Sequence, residues 1–207
     1  MGPPPPASQT RLIIFDLGGV LVRRDPERLV RTLCEAGCSP ARIAQAVDDP
    51  MLIDAFERGR LTESAFLERM NAALGLAWTR EQFLRAWNGI LDEEPEAAGL
   101  LAALRGRYRL AILSNTNAPH EAYVRRRWAY LDAIDPWIAS WRAGVRKPEP
   151  EIFRLVLSQA QVAAEQALFL DDLPEFVEAA RRVGIRAVQR VTGPSLAELL
   201  HGAGVTV

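Results

Sequence analysis

Five short apolar runs, spaced by stretches of helical periodicity, constrain this chain more than any other feature. They are Arg11 to Asp16, Tyr108 to Leu113, Trp137 to Ala139, Ala167 to Leu170 and Ile185 to Val188. Helical segments at Pro119 to Tyr130, Glu151 to Ser158 and Glu175 to Val183 separate the last four. This alternation predicts an α/β chain with a mostly parallel sheet and helices on both faces. In such a sheet the carboxyl ends of the strands share one edge, and ligands bind there. The first run stops at Asp16 and turns through Leu17-Gly18-Gly19-Val20. The second stops at Ser114-Asn115 and the fourth at Asp171-Asp172. Lys147 lies in the loop Gly144-Val145-Arg146-Lys147-Pro148, where the proline holds it to extended backbone and helps aim its side chain.

Between the first two runs the pattern changes. From Asp25 to about Ala103 there is little alternation and much helical periodicity. Helix starts are read at Asp25-Pro26, Ser39-Pro40 and Thr62-Glu63, and Thr79 to Gln82 has the spacing of a capping box. Glu96 to Leu104 reads as one more helix. A chain that leaves an incipient sheet at its ligand-binding edge, builds helices and returns is expected to have built a lid. The expected division is a disordered leader over 1–10, a core over 11–21 and 93–207, and an α-helical cap over 22–92.

Composition excludes several partners. With 25 Lys plus Arg against 26 Asp plus Glu the net charge is -1, and no long basic block exists for nucleic acid. No apolar stretch approaches the roughly 18 to 20 residues of a membrane span. Met1-Gly2-Pro3-Pro4-Pro5-Pro6 lacks the form of a secretory signal, so a cytoplasmic setting is expected. Cys34 and Cys38 have no nearby His or Cys partners and read as packed thiols, not a zinc site. Trp128, Trp137 and Trp141 suit either the core or a subunit surface, and a monomer or weak homodimer is expected.

Three carboxylates at one sheet edge raise one another's pKa unless cations offset them. Lys147 and a divalent ion would do so, and magnesium favours such hard oxygen ligands together with phosphate oxygens. The set therefore suits phosphoryl transfer. Asp16 would attack phosphorus, while Ser114 and backbone N–H groups around Gly18 and Asn115 donate to the phosphoryl oxygens. Arg23 and Arg24, where the first loop enters the insert, and Asn117 are candidate substrate contacts. His120 reads as a helix-start residue, and Trp78 and Trp87 as packed rings.

The same residues carry a family resemblance. Phe15-Asp16-Leu17-Gly18-Gly19-Val20, Leu113-Ser114-Asn115, Lys147-Pro148-Glu149-Pro150 and Phe169-Leu170-Asp171-Asp172 resemble the four motifs of the haloacid dehalogenase-like hydrolases. The resemblance spans roughly residues 11–190, and the insert looks like that superfamily's first-type α-helical cap. It implies a Rossmann-like core, Mg²⁺ as cofactor and Asp16 as nucleophile and metal ligand. The Gly18 carbonyl and Asp172 would be further ligands, with Asp171 supporting. Ser114 and Asn115 would hold phosphate, and Lys147 would steady both phosphate and Asp16. The chain looks closest to a subgroup with a bacterial α-glucose-1-phosphate phosphatase and the amino-terminal domain of soluble epoxide hydrolase.

Two positions depart from the family pattern. Gly18 stands where most of its phosphatases carry a general-acid aspartate, and Phe176 where Asp or Asn often supports the metal. The function expected is a Mg-dependent phosphatase for a small phosphorylated metabolite, such as a sugar phosphate, acting through an aspartyl-phosphate. The alternatives are a 2-haloacid dehalogenase-type hydrolase and a catalytically weak protein that binds a phosphorylated ligand.

Overall fold

A computed structural model describes residues 10–47 and 49–207. The expected leader therefore lies outside the described residues, except for Thr10, which is buried. Five strands form one parallel sheet: β1 (Leu12–Phe15), β4 (Arg109–Ser114), β5 (Trp137–Ala139), β6 (Ala167–Asp171) and β7 (Arg186–Gln189), in the order β5-β4-β1-β6-β7. The central strand β1 pairs Leu12 with Arg109 on one side and with Ala167 on the other. All four of its residues are buried, as a strand covered on both faces requires.

Alternation along each strand sorts the core into two layers. Ile13, Phe15, Leu110, Ile112, Leu168 and Leu170 face one cluster. Leu12, Ile14, Ala111, Leu113 and Phe169 face the other, which is closed by α10 (Pro150–Ala160) and α11 (Pro174–Arg182) through Phe153, Val156, Val177 and Ala180. The first cluster is covered by α6 (Ala97–Leu104), α7 (Ala118–Arg127), α8 (Ala129–Asp132) and α12 (Leu196–Gly202).

The insert after β1 is helical, but it begins and ends in strand. β2 (Val22–Arg24) pairs antiparallel with β3 (Leu91–Glu93), so that the insert leaves and returns through one two-stranded ribbon. Three-residue strands are too short to display a period, which is why the sequence reading ran helix through both. Between them lie α1 (Pro26–Glu35), α2 (Pro40–Val47), α3 (Pro50–Glu57), α4 (Glu63–Leu74) and α5 (Arg80–Asn88). Thr79 and Gln82 make the capping box read from the sequence. α3 went unread, although Asp49 caps it with proline next, as Asp25 does for α1. α12 was likewise missed despite its capping box at Ser195 and Glu198. The helix read over 119–130 is broken at Trp128, whose φ of -129° and ψ of 82° are not helical. A further short helix, α9 (Ser140–Ala143), follows β5.

The insert packs on the core through aromatic rings. Phe56 stacks on Phe66 with centroids 4.0 Å apart, Phe66 meets Trp87 edge-on at 5.1 Å, and Trp87 stacks on His120 of α7 at 5.3 Å. Trp128 and Trp137 are buried, and Trp141 is partly buried with its Nε1 donating to Glu121 at 2.7 Å, so these rings belong to the core. Cys38 is buried, but Cys34 is exposed, because it falls on the outward face of α1. No helix among the described residues is long and apolar enough to cross a membrane.

Candidate active site

The carboxyl edge of the sheet gathers the polar residues that end its strands. Asp16 follows β1, Ser114 ends β4, Asp171 ends β6 and Asp172 comes next. Lys147 arrives from the loop before α10 and is 1 % exposed. Its Nζ lies 2.8 Å from Asp16 Oδ1 and 2.5 Å from Asp171 Oδ2. The Asp16 contact has the distance of an ion pair but not the angle of a hydrogen bond, and Asp16 Oδ1 is buried without a hydrogen-bond partner. A charge so deep persists because two carboxylates surround it: burial alone would lower the Lys147 pKa, and Asp16 and Asp171 raise it instead.

Asp171 is pushed up to about 7, first by burial and then by the Asp16 charge, against the opposing pull of Lys147. Both of its oxygens are engaged, Oδ2 by Lys147 and Oδ1 by the Leu173 N–H at 2.9 Å. Asp172 is raised by burial and by Asp16 as well. Its carboxylate lies against the glycine turn: a Cβ on Gly19 would come within 2.5 Å of Asp172 Oδ2, and Gly19 has φ of 82°. Oxygens of Asp16, Asp171 and Asp172 all fall within 4.8 Å of one another. A crowd of acidic oxygens, one of them orphaned and two of the carboxyls raised in pKa, fits a hard divalent cation that would relieve the repulsion.

Phe176, a departure in the sequence, has a visible role beside this cluster. Its ring centroid is 4.9 Å from Lys147 Nζ, with Phe169 at 5.4 Å. Two ring faces thus complete the lysine's surroundings where carboxylates do not. Asn115 fixes the backbone of the same residue from the other side. Its Nδ2 donates to Lys147 O at 2.9 Å, and the Lys147 N–H donates to its Oδ1 at 2.8 Å. The Asn115 side chain thereby couples the end of β4 to the lysine loop. Ser140, fully buried, accepts from the Thr116 N–H at 2.9 Å and donates to Thr116 O at 3.0 Å, anchoring the turn after β4.

Above these residues a cleft of about 200 Å³ runs between core and insert. Asp16, Gly18, Ser114, Asn115 and Thr116 form its floor. Val22, Leu29, Ile53, Trp87, Ile90 and Leu91 give it an apolar wall. Of the two arginines read as substrate contacts, Arg24 lines this cleft, and Arg23 is exposed with its Nε donating to Glu93 O at 3.0 Å. Asn117 also lines the cleft, but its side chain is committed to its neighbours. Its Oδ1 accepts from the His120 N–H at 3.1 Å and from Trp87 Nε1 at 3.3 Å.

His120 reaches further than a helix start. Its Nε2 lies 3.0 Å from Trp87 O and its Nδ1 3.3 Å from Asn117 Nδ2. A carbonyl only accepts, so Nε2 carries the proton and Nδ1 accepts from the amide. Burial lowers the ring's pKa to about 4. Sequence reasoning missed Glu57 altogether. It ends α3 and lines the cleft. Its pKa is raised by burial in spite of Arg146, Arg24 and Lys147.

A D-ribitol-5-phosphate phosphatase of Bacteroides thetaiotaomicron is 26% identical over 189 residues, covering 87% of this chain and 92% of its own. A sesquiterpene phosphatase of Aspergillus oryzae is 28% identical over 174 residues, covering 83% and 85%. The crystal structure of a HAD family enzyme from B. thetaiotaomicron, in complex with magnesium and inorganic phosphate, superposes with a TM-score of 0.84 at 27% identity, covering 92% of this chain and 98% of that one. The haloacid dehalogenase-like hydrolase family matches residues 10–184, spanning all five strands except the last. With its parallel core, inserted helical cap and acidic edge, the chain belongs to the haloacid dehalogenase-like hydrolases.

Proposed function

We propose that the protein is a Mg²⁺-dependent phosphatase of small phosphorylated metabolites, working through a phosphoryl ester of Asp16. The observation that carries this reading is the buried Lys147 set between Asp16 and Asp171, with Asp172 beside them. Asp16 is the nucleophile. Lys147 holds its carboxylate in place and offsets charge on the phosphoryl oxygens, with Ser114 and the Asn115 backbone donating from the β4 side. Asp16, the Gly18 carbonyl and Asp172 would hold the metal, and Asp171 would support them while fixing Lys147. Bound there, Mg²⁺ would neutralise phosphate charge and keep the carboxylates ionised. The magnesium and phosphate bound by the B. thetaiotaomicron enzyme support this assignment.

The insert over 22–92 acts as a cap of the first helical type, and its cleft admits a small ester but not a folded phosphoprotein. A sugar or polyol phosphate is the substrate class favoured by the ribitol-phosphate relative. The apolar wall of Leu29, Ile53, Trp87 and Leu91 favours a second reading, an ester with a hydrocarbon body, as in the sesquiterpene phosphatase. The paired Asp171 and Asp172 argue against a halide-releasing enzyme, which needs no metal. The test is a panel of sugar, polyol, prenyl and aryl phosphates with and without Mg²⁺. Metal-dependent release of phosphate is expected, and Asp16→Asn should stay folded while turnover falls to background. Absence of turnover on every ester, the activated aryl phosphate included, would refute the reading.

A further inference from the structure

A phosphatase needs a proton for its leaving alcohol, and Gly18 cannot give one. Nor is the space above Gly18 free. A Cβ built there would lie 2.5 Å from Arg24 Cδ and 3.4 Å from Arg24 Cγ, so the arginine stem fills the place of a side chain at that position. The donor must come from elsewhere on the cleft. Four lining residues titrate: Asp16, Arg24, Glu57 and His120. Asp16 is taken as the nucleophile. Arg24 does not release a proton in a protein. His120 is neutral, and its one ring proton is spent on Trp87 O. Lys147, from below, is bound by two carboxylates that its departure would leave uncompensated.

From this elimination and from the placement of Glu57 on the cleft wall, we infer that Glu57, carried by the cap, is the general acid and base of this site. The inference rests on the phosphatase reading above. Glu57 Oε2 is buried without a hydrogen-bond partner, although Arg146 Nη2 lies 2.9 Å away, outside hydrogen-bonding geometry. The charged groups that face it are Arg146, Lys147, Arg24 and, one turn back on its own helix, Asp54. Burial outweighs the three cations and raises the carboxyl's pKa above its ordinary value.

The step balances in both halves. Asp16 attacks phosphorus, and the bond to the ester oxygen breaks with its electron pair on that oxygen. Glu57 gives its proton to this oxygen, releasing a neutral alcohol and leaving a carboxylate. Water then attacks the phosphorus, the bond to Asp16 breaks, and the water's proton returns to Glu57. The acid thus arrives with the cap and is positioned only when the cap is seated.

Glu57→Gln removes the proton but keeps the size. Its kcat/KM, which reports the first half-reaction alone, is expected to fall by about 100-fold or more on alkyl phosphates, whose alkoxides need the proton, and by less than about 10-fold on an aryl phosphate. The high-pH limb of wild-type kcat/KM on alkyl esters should be absent in the variant. Arg146→Met separates this role from a merely structural ion pair: it should move that limb to higher pH and leave the alkyl-to-aryl ratio near wild type. Circular dichroism and inorganic phosphate binding with Mg²⁺ check that each variant is folded with its site intact. Equal loss of kcat/KM on both ester classes, or an unchanged high-pH limb, would overturn the assignment to Glu57. A wild-type protein inert toward even the aryl ester would instead refute the phosphatase reading.

Discussion

At Gly18 the structure explains an absence by a presence. The Arg24 stem lies where a side chain would go, so any larger residue there must first displace that exposed arginine. Gly18→Asp alone should therefore disturb Arg24 and lower stability by about 1–3 kcal/mol, the usual cost of overpacking. Combined with Arg24→Ala it should be tolerated. The double variant should also exceed Arg24→Ala in kcat/KM on alkyl phosphates, because the restored carboxyl supplies a second proton donor. Thermal melts and paired kinetics check this; a double variant as unstable as Gly18→Asp would refute the packing account. Asp16, Ser114, Asp171 and Lys147 were legible in the sequence, because a strand end or a pre-proline loop marks each. Glu57 was not, since only the docking of α3 brings it to the cleft. Nor was the Phe176 contact with Lys147, because the sequence marks Phe176 only as a missing metal support and not as a ring beside a cation. Arg142, silent in the sequence, pairs with the buried Glu121 at 2.9 Å.

Among the elements, α3 and the lysine loop are tied most closely across the divide between cap and core. Arg58 bonds Asp54 on its own helix at 2.8 Å and reaches Glu149 of the loop in a bidentate pair. Arg146 crosses the other way, to Asp54 at 3.2 Å and Glu57 at 2.9 Å. The flanking Gly59 has φ of 68°, and a Cβ there would stand 2.1 Å from Trp141 O, so the cap meets the core backbone to backbone. The loop so gripped holds Lys147. Cap seating and lysine placement are therefore one event. Arg58→Ala should raise KM several-fold and cost about 1.5–3 kcal/mol, in the range of hydrogen bonds to charged groups. Higher ionic strength should weaken the wild type in the same direction. Unchanged KM and melting temperature would show that the bridge does not govern the cap. The parallel sheet and its order of motifs were readable from strand composition. The β2–β3 ribbon was not, because its pairing is made across the whole insert and leaves no local period.

Taken whole, the molecule has one apolar cluster that runs from Ile13 and Phe15 of the sheet into Phe56, Phe66, Phe83 and Trp87 of the cap. Cap and core should unfold in a single transition. His120 stands at their junction, stacked on Trp87 and held neutral with a pKa of about 4, against 6.5 unperturbed. The unfolded chain binds this proton first as pH falls, so stability should drop between pH 6.5 and 4 and level off below. The loss assigned to this ring is on the order of 3 kcal/mol. His120→Gln should be less stable at neutral pH but show a flatter acid limb in denaturant titrations; an unaltered limb would mean that other groups carry it.

The central position of β1 bears on how the chain is made. Leu12 to Phe15 are synthesised well before their partners, which begin at Arg109 and Ala167. Until those partners emerge the central strand has no neighbour to pair with, while five cap helices can already close on one another. The nascent cap is thus the first apolar shelter available to a strand that must wait for the rest of its sheet.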